Sequence, residues 1–275
     1  MRSESCRSTP LFARWALPAA PAAALLTVLL CAPVIGAQSD SYSVHRDATA
    51  PVAGATSVRI ENGSGHLVVT GKAGAPSVSA SALIKGSSQK LVNSIKVTID
   101  REGDVLVVRA AGPDRGWLSW RDGWSTDLTV AVPNNVKLDV HTGSGGARVE
   151  NVASVAVRAG SGGVHVDGVS GTADIRSGSG GAEVRNVHGD ALVSTGSGGI
   201  TLAGVTGSVD VRSAGSGGVN ARQIGGSLHI GSIGSGGVTV DNIGGDFTID
   251  HKGSGSVRYT NVKGRVDVPR RHGDG

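Results

Sequence analysis

The tetrapeptide Gly-Ser-Gly-Gly begins at Gly143, Gly160, Gly178, Gly196, Gly215 and Gly234, with weaker copies at Gly63 (Gly-Ser-Gly-His) and Gly253 (Gly-Ser-Gly-Ser). From Gly143 to Gly253 the steps are 17, 18, 18, 19, 19 and 19 residues. A period this regular is the signature of a repeat architecture, and it constrains the fold more than any local motif does. One unit reads GSGGVHVDGVSGTADIRS (160–177). Val164-His165-Val166-Asp167 and Ala173-Asp174-Ile175-Arg176 alternate apolar with polar, the period of a strand with one face buried. A second corner, Gly168-Val169-Ser170-Gly171, separates the two runs.

That second corner keeps its own chemistry. The position before its apolar residue is Asn151, Gly168, Asn186, Gly204, Gln223, Asn242 and Asn261 in successive units. Glycine and asparagine are the residues that best tolerate a left-handed backbone. The first unit reads NVASV and lacks the following glycine, so the 17-residue step comes from a deletion in a corner and spares strand register. Two short strands cannot bury an apolar face alone, but stacked units can. The expected fold is all-β: a single-stranded parallel β-helix, or β-solenoid, of 18–19 residues per coil, preceded by a less regular β part. Neighbouring coils should lie about 4.8 Å apart. Val164, Val166, Val169, Ala173 and Ile175 should point inward, with Ala182, Val184, Val187, Ala191 and Val193 stacked over them. Thr142, Ser177, Thr195 and Ser213 are candidates for hydroxyl ladders. The outward positions mix charges of both signs and form no basic stripe, which describes a solvated surface.

The glycine-rich motif is not a nucleotide loop. Such a loop occurs once, between a strand and a helix whose N-terminus receives the phosphate. Calcium-binding solenoids share an 18-residue coil but need a carboxylate after the glycines. Here those positions are Ala147, Val164, Ala182, Ile200, Val219 and Val238. The eight histidines are scattered, and neither a metal-binding pattern nor a Gly-x-Ser-x-Gly or His-Glu-x-x-His motif occurs. No metal, cofactor or catalytic residue is expected.

The N-terminus reads as an address. Arg2, Arg7 and Arg14 precede a largely apolar run that closes on small residues at Ala37. This fits a signal peptide over 1–37, cut after Ala37, better than a retained membrane anchor, because Pro18, Pro21 and Pro33 interrupt the run. Both cysteines, Cys6 and Cys31, fall inside it. The mature chain would then have no thiol and no disulfide, and must be held by packing and backbone pairing. Removing 1–37 leaves 23 basic and 21 acidic residues, too balanced for a dedicated nucleic-acid binder. After cleavage no integral membrane segment remains.

The expected organisation is a mature extension over 38–55, an N-terminal β part over 56–135, the regular solenoid over 136–268 and a disordered tail over 269–275. One insertion breaks the β part: AAGPDRGWLSWRDGWSTD (110–127). It holds Trp117, Trp120 and Trp124 beside Arg115 and Arg121, in a chain with 3% aromatic residues. Structurally, it could cover an open end or flank of the solenoid, since solenoids need caps. Functionally, exposed tryptophan and arginine are strong anchors for a sugar, a lipid headgroup or a protein. The corner residues Gly143, Gly160, Gly178, Gly196, Gly215, Gly234, Gly253, Asn151, Asn186, Asn242 and Asn261 are structural.

SVRIENGSGHLVVTG, then a strand pair, then DLTVAVPNNVKLDVHTGSGGARVENV and its glycine coils, resemble the bacterial putative-adhesin domain called toastrack, over about residues 56–268. The resemblance implies a β-helical domain in an exported or envelope protein. The first functional expectation is a non-enzymatic adhesin-like module or rigid scaffold in the periplasm or at the cell surface, with an envelope protein or glycan as partner. The alternatives are a carbohydrate-active β-helix enzyme using Asp114, Asp122 and Asp127, and a periplasmic accessory or sensor in envelope-stress signalling.

Overall fold

The computed structural model describes residues 41–112 and 123–269. Residues 1–37, where a signal peptide is expected, lie outside the described residues, as do Asp114, Arg115, Trp117, Trp120, Arg121 and Asp122. Strand β1 (Tyr42–Pro51) leads into a coil made of β2 (Ser57–Asn62) and β3 (Leu67–Lys72). Then come β4 (Ser77–Gly86), the helix α1 (Gln89–Ser94), β5 (Lys96–Glu102), β6 (Val105–Ala111) and β7 (Trp124–Pro133). From β8 (Lys137–Thr142) and β9 (Ala147–Val152) onward, seven two-strand coils follow one another to β21 (Val257–Val262), and β22 (Val266–Asp267) closes the chain.

The strands of the described residues fall into two eleven-stranded sheets. Each coil contributes one strand to each, and successive coils pair in parallel, as the repeat requires. The alternation in sequence becomes alternation in burial. Val164, Val166 and Val169 pair with Ala182, Val184 and Val187 in the next coil, and Ala173 and Ile175 with Ala191 and Val193. All ten are buried. The six positions that would carry carboxylates in a calcium solenoid are buried too. Seven left-handed residues stand where the sequence places them: Asn151, Gly168, Asn186, Gly204, Gln223, Asn242 and Asn261, with φ between 52° and 72°. Val155 still pairs with Ala173 across the short corner, so its deletion does spare the register.

The Gly-Ser-Gly-Gly corners are glycine because coils touch there. The Ser161 N–H donates to the Gly143 carbonyl at 3.0 Å, and the Ser179 N–H to the Gly160 carbonyl at 3.1 Å. A Cβ on the second glycine of the motif, at Gly162 or Gly180, would fall on the backbone of the corner before it.

Four details depart from the sequence reading. First, the buried hydroxyls do not bond one another. Thr142 and Thr195 donate to the carbonyls of Gly145 and Gly198 three residues on, at 3.3 and 2.6 Å, and Ser177 reaches Gly162 at 3.4 Å. Ser213 is not among them. A bulge between β14 (Ala191–Thr195) and β16 (Val209–Ala214) gives its inward place to Ala214, and Ser213 pairs outside with Ser194 at 2.8 Å. That bulge absorbs the change from 18 to 19 residues per coil. Second, SVRIENGSGHLVVTG is the first coil in sequence but not in space. β2 and β3 lie between β6–β7 and β8–β9. Third, the stretch KGSSQKLVN (85–93), which reads as a polar connection, contains α1. Ser88 caps it, accepting the Leu91 N–H at 3.3 Å, and Leu91, Val92 and Ile95 are buried. Fourth, the expected extension 38–55 holds β1, paired antiparallel to β4.

Candidate functional site at the stem of the tryptophan-rich insertion

Every regular coil crosses from the second sheet to the first through a glycine corner. Between β6 and β7 the chain makes the same crossing, and there the tryptophan-rich insertion stands in the corner's place. Its ends, Gly112 and Gly123, therefore lie on the edge where the Gly-Ser-Gly-Gly motifs line up, one coil from Gly63-Ser64-Gly65.

The stem of the insertion is anchored through that neighbouring corner. Ser64 Oγ donates to the Trp124 carbonyl at 2.8 Å, and the Thr126 N–H donates to the Ser64 carbonyl at 2.8 Å. The buried Asn62 donates its amide to the carbonyls of Gly65 and Thr126 at 3.2 and 3.4 Å. Asp127 ties β7 to β4 and to the corner before β3. Oδ1 accepts the His66 N–H at 3.1 Å and Oδ2 pairs with Lys85 Nζ at 2.8 Å. Lys85 and that N–H hold the Asp127 carboxyl below the usual aspartate range. A glycosidase acid needs the opposite shift, so Asp127 is built as a strut and not as a proton donor.

Of the five sequence candidates, the described residues include Trp124 alone. Its ring packs against the core cluster and beside Gly112, where a Cβ would come 3.1 Å from Cζ2. The two ends of the insertion thus meet at this ring, and Trp124 is half-buried in the stem. Two shallow clefts flank it. One, of about 380 Å³, includes Lys85, Gly123 and Trp124. The other, of about 430 Å³, includes Glu61, Arg109 and His141. Arg109 bridges Glu61 and Glu102 at 3.0 Å each, which raises its own affinity for the proton. Asp139 beyond them takes Arg158 at 3.0 Å and Arg59 at 3.4 Å. The charges around the stem are paired with one another, as the mixed outer surface leads one to expect. Among the described residues no His, Cys, Asp and Glu cluster could hold a metal ion. Among the same residues no helix is long and apolar enough to cross a membrane.

The sequence reading missed the second-corner ladder. The Ser208 N–H donates to Asp190 Oδ1 at 2.8 Å, Ser227 N–H to Ser208 Oγ at 3.2 Å, Asp246 N–H to Ser227 Oγ at 3.0 Å, and Arg265 N–H to Asp246 Oδ1 at 2.7 Å. The signal is present in sequence as a Ser or Asp after each corner glycine (Gly189, Gly207, Gly226, Gly245).

Residues 75–262 match the family described as "Putative auto-transporter adhesin, head GIN domain". Similar solved structures include a putative adhesin from Bacteroides fragilis (13% identity, 83% of this chain and 97% of that one, TM-score 0.39). Another is a putative adhesin from Parabacteroides distasonis (14%, 84% and 98%, TM-score 0.34). A putative lipid binding protein from the same organism aligns at 15% identity over 83% and 97%, with a TM-score of 0.45. No curated protein sequence matches the chain.

Proposed function

Because the chain belongs to the auto-transporter adhesin head GIN family, we propose that it is an exported, non-enzymatic envelope protein whose solenoid presents the tryptophan-rich insertion to a partner at the cell envelope. The observation that carries this reading is positional. The insertion takes the place of one corner on the edge where the glycine motifs line up, so both of its ends are held by a stiff, hydrogen-bonded frame. A rigid scaffold is what a binding loop needs to keep its ordering cost low. Trp117 and Trp120 supply large apolar area with a polar handle, and Arg115 and Arg121 supply charge. Asp127, one of three carboxylates an enzymatic reading would use, is paired with Lys85, which suits a strut and not the general acid of that reading. Export rests on the N-terminal segment.

The test uses Trp117→Ala/Trp120→Ala and leaves Trp124, whose ring supports the stem. Intact cells carrying either form are crosslinked and the partners of the chain recovered. A partner held by the native form and lost by the variant, with an unchanged melting curve, is the expected result. Equal recovery from both removes the insertion from the account.

A further inference from the structure

The second corners carry a groove far from the insertion. Where two consecutive coils read Gln223-Ile-Gly-Gly and Asn242-Ile-Gly-Gly, the position after the isoleucine has no side chain. A trough of about 780 Å³ opens there, running over four coils from Gly204 to Lys263. Three inter-coil steps make it about 14 Å long. Gln223, Asn242 and Asn261 line its lip at one amide per coil, and all three side chains are exposed.

The surroundings narrow what can lie in it. Val205, Ile224 and Ile243 border the trough but are at most 2% exposed, and half-buried Val262 at one end is the remaining apolar side chain, so the floor is mostly main chain and glycine, with too little apolar wall for an acyl chain. The corner N–H groups of Thr206, Gly225, Gly244 and Lys263 already donate to the carbonyls of the preceding coil, at 2.8–3.0 Å. An incoming peptide strand finds no free ladder to extend. The lining has one cation, Lys263, and no carboxylate, which is too little charge for a polyanion. What remains is a row of neutral amides. Asp241 orients two of them by accepting Asn242 Nδ2 at 2.9 Å and Asn261 Nδ2 at 3.0 Å. Among the described residues their Oδ1 atoms have no donor, and the Gln223 amide has no partner. Neutral amides at fixed spacing, over a glycine floor that allows close approach, suit a polymer rich in hydroxyl groups.

We propose that this trough binds an uncharged linear glycan lying along the solenoid axis, with Gln223, Asn242 and Asn261 as its hydrogen-bonding residues. The site is separate from the insertion.

The left-handed backbone supplies a clean test, because glycine is at home there and occupies the equivalent positions at Gly168 and Gly204. Gln223→Gly/Asn242→Gly/Asn261→Gly removes the three amides without straining the corners. Asn151→Gly/Asn186→Gly makes the same backbone change outside the trough and serves as the control. The secreted chain is titrated calorimetrically with cellohexaose, laminarihexaose, maltohexaose and, as a charged comparison, polygalacturonate. At least one uncharged hexasaccharide should bind, the trough variant should weaken it at least about tenfold, and the control should not change it. Trp117→Ala/Trp120→Ala should leave this binding intact, which separates it from the reading of the insertion. The proposal is overturned if no uncharged hexasaccharide binds, if the trough variant binds like the native chain, or if only polygalacturonate binds.

Discussion

At the scale of single residues the four positions of one glycine motif are not equivalent. A Cβ at Gly162 would collide with the Gly145 carbonyl, whereas at Gly163 the nearest atom, the Gly181 carbonyl, would be 3.8 Å away. Neither has a left-handed backbone, so the difference is one of space alone. Gly162→Ala should therefore destabilise by about 3 kcal/mol or prevent folding, and Gly163→Ala should stay within about 1 kcal/mol, as chemical denaturation would read. The last copy of the motif carries Ser256 at the permissive place, in accord with this order. Left-handed Asn186 makes the complementary case. Asn186→Gly should be neutral, and Asn186→Val should cost about 1–2 kcal/mol. Asp127 sets an acid dependence. Its carboxyl sits below the ordinary 3.8, so the Lys85 pair stabilises the fold above that value and is lost as pH falls through the lowered one. Asp127 is partly exposed and screened, so the effect is small. Melting temperature below about pH 4 should fall more steeply for the native chain than for Asp127→Asn. Matching slopes would deny the ion pair that role.

At the scale of elements, what was legible in the sequence was whatever repeats. The inward residues, the left-handed corners and the corner deletion at NVASV could be read because seven copies vote on each position. α1 could not be read that way. Six residues make too short a window for helical periodicity, and only the Ser88 cap and the Leu91-Val92 pair betray it. Ser213 was misplaced because a bulge shifts a strand's end by one residue, and a 19-residue step does not say where its extra residue sits. The stacking place of β2–β3 was hidden for a different reason: order in space is a property of topology that no local pattern encodes. α1 is also a cover that the sequence reading did not offer. Leu91, Val92 and Ile95 cover the core beside β1 and β4, so Leu91→Ala should cost about 2–5 kcal/mol despite its place in a polar-looking loop. A loss under 0.5 kcal/mol in a denaturant titration would show that the helix is not a cover.

At the scale of the whole molecule, two unlike requirements meet in one chain. The frame must be uniform, and ladders of backbone bonds, stacked valines and the Asp190–Ser208–Ser227–Asp246 chain of side-chain bonds make it so. The insertion proposed as a contact point breaks that uniformity, at the corner between β6 and β7 where the repeat gives way. Neither the partner nor its chemistry was legible, because Trp117, Trp120, Arg115 and Arg121 name a style of recognition and not a ligand. If export follows the N-terminal segment, mass spectrometry of the secreted chain should find Gln38 as its first residue; a chain beginning at Met1 would mean a retained segment. The division into frame and contact point is tested most directly by exchanging one for the other. Residues 113–122 are replaced by Gly-Ser-Gly-Gly, and the variant is compared with the native chain in the same crosslinked cells and in a thermal melt. The account predicts an intact cooperative melt together with loss of the envelope partner. A variant that melts normally and still recovers that partner would contradict it.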